Sequence, residues 1–130
     1  MKTWKWLHAT SLIALNSKQV VLHGGASGVR DEGLLSSALA RPLHLASYGS
    51  PEIFDLAAAY AFGLIHDHPF LDGNKRTGFL AAFTFLDING FELQANETDA
   101  YMAVLALARK EIDEKTFSAW LKHNSKRIKK

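Results

Sequence analysis

With 130 residues and a mass of 14.4 kDa, the chain has room for one domain around one hydrophobic core, expected over residues 1–130. It contains no cysteine, which excludes disulfides, thiolate nucleophiles and cysteine-ligated metals. A net charge of +2 beside 48% apolar residues describes an ordinary globular protein and gives no electrostatic argument for nucleic acid as a partner.

The chain starts with Lys2, Trp4, Lys5, Trp6 and His8 and lacks the apolar stretch of a secretory signal. No run is long enough to span a bilayer, so no membrane is expected and the cytoplasm is the expected compartment. From about Thr10 to Leu22, Leu12, Ile13, Leu15 and Val20 fall near helical spacing, and Gly24 and Gly25 supply a helix stop. A loop from Ala26 to Arg30 follows. Asp31 then caps a short helix carrying Leu34, Leu35, Ala38 and Leu39, which Pro42 is expected to end.

Leu43 to Ser50 shows no clean period and reads as a loop or short extended flap. Ser50, Pro51 and Glu52 spell a helix start: a capping serine, proline at the first helical position and an acid in the first turn. Ile53, Leu56, Ala57, Tyr60, Ala61, Leu64 and Ile65 then form an amphipathic face that ends near His66 or Asp67. Phe79 to Ile88 is apolar almost all the way round, which predicts the buried centre of the domain. Asn89 and Gly90 stop it, and Phe91 to Leu93 is a very short extended piece. Asn96 with Asp99 resembles a cap for a helix carrying Tyr101, Val104, Leu105 and Ala108. Asp113 caps a last helix with Phe117, Trp120 and Leu121, and Lys122, Lys126, Arg127, Lys129 and Lys130 read as a solvated basic tail. The expected fold is all-α: one compact bundle of about six helices with little or no β-structure.

Between the two most apolar segments lies His68-Pro69-Phe70-Leu71-Asp72-Gly73-Asn74-Lys75-Arg76. Gly73 and Asn74 fall where the following helix should begin, and free N–H groups with the helix dipole make such an end an anion site. Lys75 and Arg76 add a movable point charge and a bidentate grip for phosphate oxygens. Asp72 suits an anion site when Mg²⁺ joins carboxylate and phosphate. An imidazole changes protonation near neutral pH, so His68 can take the proton of an attacking alcohol. The combination points to transfer of a phosphate-containing group from a nucleotide to a hydroxyl. Two competing chemistries remain: a transition-metal hydrolase using His66, His68 and Asp72, and a catalytically idle binding module.

This run resembles the signature of the Fic/Doc (Fido) family, HPFxxGN followed by glycine or lysine and then arginine. Gly28-Val29-Arg30-Asp31-Glu32-Gly33-Leu34-Leu35, with Ala38-Leu39-Ala40-Arg41-Pro42, is similar to the early segment of the Doc (death-on-curing) branch. The resemblance implies a Fido fold around a buried central helix, with ATP and Mg²⁺ as co-substrate and cofactor. It implies His68 as general base, Asp72 as the Mg²⁺ ligand, Gly73, Asn74 and Lys75 as the anion hole, Arg76 as the phosphate grip, and Pro69 and Phe70 as structural anchors. Leu43, His44, Leu45, Ala46, Ser47, Tyr48 and Gly49 are the corresponding target-docking flap.

Fic proteins that transfer AMP carry glycine where this chain has Lys75, and often a second arginine where it has Phe79. The lysine is the Doc feature, and it implies transfer of the γ-phosphoryl group to a Ser or Thr hydroxyl of a protein, with elongation factor Tu the associated target. AMP transfer is the alternative, since Pro69 and Gly73 follow the Fic pattern. No serine or threonine opens the Ser/Thr-x-x-x-Glu-Gly/Asn pattern of self-inhibited Fic proteins; Ser27, with Asp31 in the acidic position, comes nearest. Control is therefore expected in trans, from an antitoxin.

Overall fold

The computed structural model describes residues 3–129; Lys2 and Lys130 lie outside them. Its elements run α1 (Ala9–His23), α2 (Glu32–Tyr48), α3 (Ile53–Asp67), α4 (Asn74–Ile88), β1 (Phe91–Leu93), α5 (Glu97–Ala108), α6 (Glu114–His123) and β2 (Ser125–Arg127). The class is all-α, as the periodicity predicts. Asp31, Asn96 and Asp113 each accept a hydrogen bond from the backbone N–H three residues on, so these three helix starts are where the sequence puts them.

The central helix is α3 rather than α4, whose apolar run from Phe79 to Ile88 follows the polar first turn Asn74-Lys75-Arg76-Thr77. Eleven of the fifteen α3 residues are buried, because α2, α4, α5 and α6 all pack on it. In α4 only one face is buried, through Asn74, Thr77, Gly78, Ala81, Ala82, Phe85 and Leu86, while Phe83 and Ile88 reach solvent. The small residues of α3, including Ala57, Ala58, Ala59 and Ala61, let four neighbours approach, so residue size and apolar character together put this helix at the centre.

Two glycines mark the closest approaches. A β-carbon on Gly63 would stand 3.1 Å from the Ala38 β-carbon, where α2 crosses α3. One on Gly78 would stand 2.8 Å from Ile65 Cγ1 and 3.2 Å from the Ala61 carbonyl oxygen, where α4 crosses α3. Tyr60 ties in the N-terminal segment: its buried hydroxyl accepts from Leu7 N–H at 3.0 Å, and burial pushes its pKa above the ordinary value.

Four expectations need correcting. Pro42 does not end its helix; α2 runs through it to Tyr48. An internal proline costs about 3 kcal/mol, which the packing of Leu39, Leu45 and Ala46 against the core offsets. The proposed flap, Leu43, His44, Leu45, Ala46, Ser47, Tyr48 and Gly49, is thus helical except for Gly49, which caps it. It also lies at the wrong end: α2 runs antiparallel to α3, with Ala38 against Gly63 and Arg30 against Pro69. That puts the segment beside the start of α3, roughly 20 Å of helix from His68. The α3 cap is Glu52 rather than Ser50, because Asp55 Oδ2 accepts from Glu52 N–H at 2.8 Å and fixes the start there. Finally, the basic tail is not all free: β2 pairs antiparallel with β1, Arg127 lies over the Phe91 ring at 5.2 Å, and Lys122 pairs with Glu52 at 2.8 Å.

Replacing Gly78 by alanine tests the α3–α4 crossing. Helix propensity alone favours alanine by about 1 kcal/mol, but overpacking against Ile65 and the Ala61 carbonyl costs about 1–3 kcal/mol. Urea denaturation of Gly78→Ala is expected to show a net loss of stability.

Candidate active site

The chain reverses from α3 to α4 within six residues, 68–73, and both ends of the reversal are left-handed: His68 at φ 51° and ψ 55°, Gly73 at φ 76°. Left-handed backbone is free for glycine and costs a residue with a β-carbon about 1–2 kcal/mol, so His68 must be held there. The interior of the turn is tied by Asn74, which is buried. Its Oδ1 accepts from Phe70 N–H and its Nδ2 donates to the Phe70 carbonyl, both at 3.0 Å. Phe70 itself is fully buried and anchors the turn in the core.

The loop between α1 and α2 clamps the turn from outside. Val29 forms a β-bridge with Phe70, Leu71 N–H donates to the Gly28 carbonyl at 3.0 Å, and the Pro69 carbonyl accepts from Arg30 N–H at 2.7 Å and Asp31 N–H at 3.1 Å. The Arg30 side chain adds Nε to the His68 carbonyl at 2.8 Å and Nη2 to the Asp67 carbonyl at 3.1 Å.

From the other side α1 presents Asn16, a polar residue in the buried row Leu12, Asn16 and Val20. Its Nδ2 donates to the Asp72 carbonyl at 2.8 Å and to Thr77 Oγ1 at 3.2 Å. A β-carbon on Gly73 would come within 3.3 Å of that nitrogen, so glycine is needed for the contact as well as for φ. The first helical bond of α4 runs from Thr77 N–H to the Gly73 carbonyl at 2.9 Å. The N–H groups of Asn74, Lys75 and Arg76 therefore precede that bond and face out of the positive end of the helix, with no capping side chain from Gly73.

Around this end His68, Lys75 and Arg76 are exposed, and none of their side chains has a hydrogen-bond or ion-pair partner among the described residues. Asp72 is exposed too. Its Oδ2 accepts from Ala26 N–H at 2.8 Å, and its Oδ1 takes no protein donor among the described residues. A cleft of about 550 Å³ runs from Lys75 and Arg76 between α1, α4 and α5. Phe79, Leu80, Tyr101 and Val104 make its walls apolar and aromatic, Gln19, His23 and Glu97 give it polar edges, and His68 lies outside it.

The motif residues His68, Asp72, Gly73, Asn74, Lys75 and Arg76 thus come together at one helix start, while the flap segment does not. The segment lying against the turn is instead 25–31. Gly25 belongs to it: at φ 117° its hypothetical β-carbon would meet the Asp72 β-carbon at 3.0 Å. Asn16 and Arg30 are the other residues that the motif alone does not reveal; a lone polar residue in an apolar row was the available signal for Asn16. His66 does not join His68 and Asp72 as a ligand set. Its ring stacks on Phe62 with centroids 4.1 Å apart, and Nε2 lies 3.2 Å from the Leu107 carbonyl oxygen.

Residues 6–86 match the Fic/DOC family over a span that contains α1 to α3, the turn and most of α4. The chain belongs to that family. It is also 47% identical to Toxin Doc of Mycolicibacterium smegmatis (strain ATCC 700084 / mc(2)155) across 58% of its own length, and the match spans 60% of that relative. For a Fic/DOC protein the architecture of the turn gives a direct prediction. Asn74→Ala leaves Phe70 N–H and its carbonyl without their side-chain partner, and urea denaturation should register a loss of about 1–3 kcal/mol.

Proposed function

We propose that this Fic/DOC protein is a Doc-like toxin that transfers the γ-phosphoryl group of ATP to a Ser or Thr hydroxyl of a protein, with a translation factor such as elongation factor Tu as the acceptor. The observation that carries this reading is the position of the cleft. It opens from Lys75 and Arg76 on the side of α4 facing α1 and α5, with His68 outside it. A nucleoside needs apolar, aromatic walls with a few polar groups. With the nucleoside there and the phosphates at the start of α4, the chain of phosphates runs toward His68 and presents its terminal phosphorus. AMP transfer needs the opposite direction, with the α-phosphorus beside His68.

His68 takes the proton as the acceptor oxygen bonds to the γ-phosphorus and the bond to the ADP oxygen breaks. The N–H groups of Asn74, Lys75 and Arg76 receive the phosphate oxygens, and the two side chains add charge where charge develops. Asp72 fits as a Mg²⁺ ligand: one exposed carboxylate beside a phosphate site is the kind of partner this ion takes, and its Oδ1 is open. When bound, Mg²⁺ neutralises charge on the phosphate oxygens.

The similarity to Toxin Doc supports control by an antitoxin acting in trans. Tyr101, exposed on α5 and lining the cleft, supplies apolar surface for a helix that would cover the nucleotide.

The deciding measurement incubates the protein with elongation factor Tu and ATP labelled at the γ- or the α-position. Label from γ alone is expected; label from α alone would replace this reading with AMP transfer. His68→Ala is expected to lower the rate by about 10²–10⁴-fold, the usual worth of a general base, and to abolish growth inhibition in cells. A fully toxic His68→Ala chain would remove the general-base role.

A further inference from the structure

The segment Gly28-Val29-Arg30-Asp31 has no part in the chemistry above, yet it makes most of the contacts that hold the turn. Three consecutive carbonyls, of Asp67, His68 and Pro69, accept hydrogen bonds from it. Two of the four donors are the Nε and Nη2 atoms of one guanidinium, and that of Arg30 forms neither of the two salt bridges among the described residues. Its charge faces the carbonyl end of α3, the negative end of that helix. The residue it clamps is His68, whose left-handed backbone is unfavourable for a residue with a β-carbon.

We propose that Arg30 is the positioning residue for the general base. By closing its planar fork over the last carbonyls of α3, it holds His68 in the left-handed conformation that directs the imidazole out of the turn and toward the start of α4. The backbone bonds from Arg30 and Asp31 to Pro69 fix the next peptide, and the fork fixes the one before it. Two donors at a fixed angle are required, which arginine supplies and lysine does not. Because these bonds are exposed, they contribute little to global stability, and their effect concentrates on local geometry. The proposal rests on His68 being the base, but the conformational claim can be read without any activity.

The test uses the full chain with Arg30→Ala and Arg30→Lys. Backbone carbon chemical shifts of His68 report its conformation in the absence of substrate. In Arg30→Ala they are expected to leave left-handed values, with Arg30→Lys intermediate, while Tm falls by no more than about 4 °C. Unchanged His68 shifts overturn the proposal, whatever the activity. In the transfer assay Arg30→Ala should lower kcat by about 10- to 100-fold, the scale of a misplaced reacting group, with KM for ATP unchanged. A raised KM for ATP at unchanged kcat would put Arg30 on the nucleotide and overturn it as well. If the unmodified chain transfers nothing from ATP, the proposed function falls while the shift measurement still decides the role of Arg30.

Discussion

Everything at the candidate site follows from how tightly α4 crosses α3. With Gly78 against Ile65 and the Ala61 carbonyl, the two helices lie so close that the chain has six residues in which to reverse. A reversal that short needs backbone outside the right-handed region, and it uses it at both ends, His68 and Gly73. Glycine takes the conformation freely. Histidine does not, and the bonds from residues 28–31 and from Asn74 are what make it tolerable.

The same reversal brings two helix ends of opposite sign together. At the carbonyl end of α3 the guanidinium of Arg30 occupies the last acceptors, so the negative end is already compensated. At the amide end of α4 no side chain caps the N–H groups, and Lys75 and Arg76 add to the positive field. Such an end is suited to receive an anion. Asp72, the only carboxylate in the turn, gives one oxygen to Ala26 N–H and so spends part of its charge on the clamping loop.

Most of this was legible in the sequence because it is local. Asp31, Asn96 and Asp113 cap where their short side chains say they should, and the nine-residue motif sits on the helix start that Gly73 and Asn74 announce. What could not be read is set by contacts between distant segments. Pro42 continues a helix because Leu39, Leu45 and Ala46 are packed on the core. Ser125 to Arg127 becomes a strand only because β1 is there to pair with it. The distance of residues 43–49 from His68 has the same origin: it depends on the antiparallel course of α2 along α3, which no stretch of sequence encodes by itself. Asn16 and Arg30 stand 56 and 38 residues from the turn carbonyls they hold.

In the proposed function Lys75 stands where the direction of the nucleotide would be set. Its backbone N–H belongs to the open helix end, while its side chain lies on the wall of the cleft between α1, α4 and α5. A glycine there would leave the helix end bare and equally open to phosphates arriving from either side. The ammonium instead adds a movable charge at the junction of cleft and helix end, where the phosphates nearest a bound nucleoside would pass. A triphosphate would meet that charge from either direction, so what favours a base seated in the cleft is the apolar and aromatic lining beside Lys75. In the proposed function, presentation of the terminal phosphorus would follow from where the cleft lies relative to the helix end, with His68 the proposed base for either transfer.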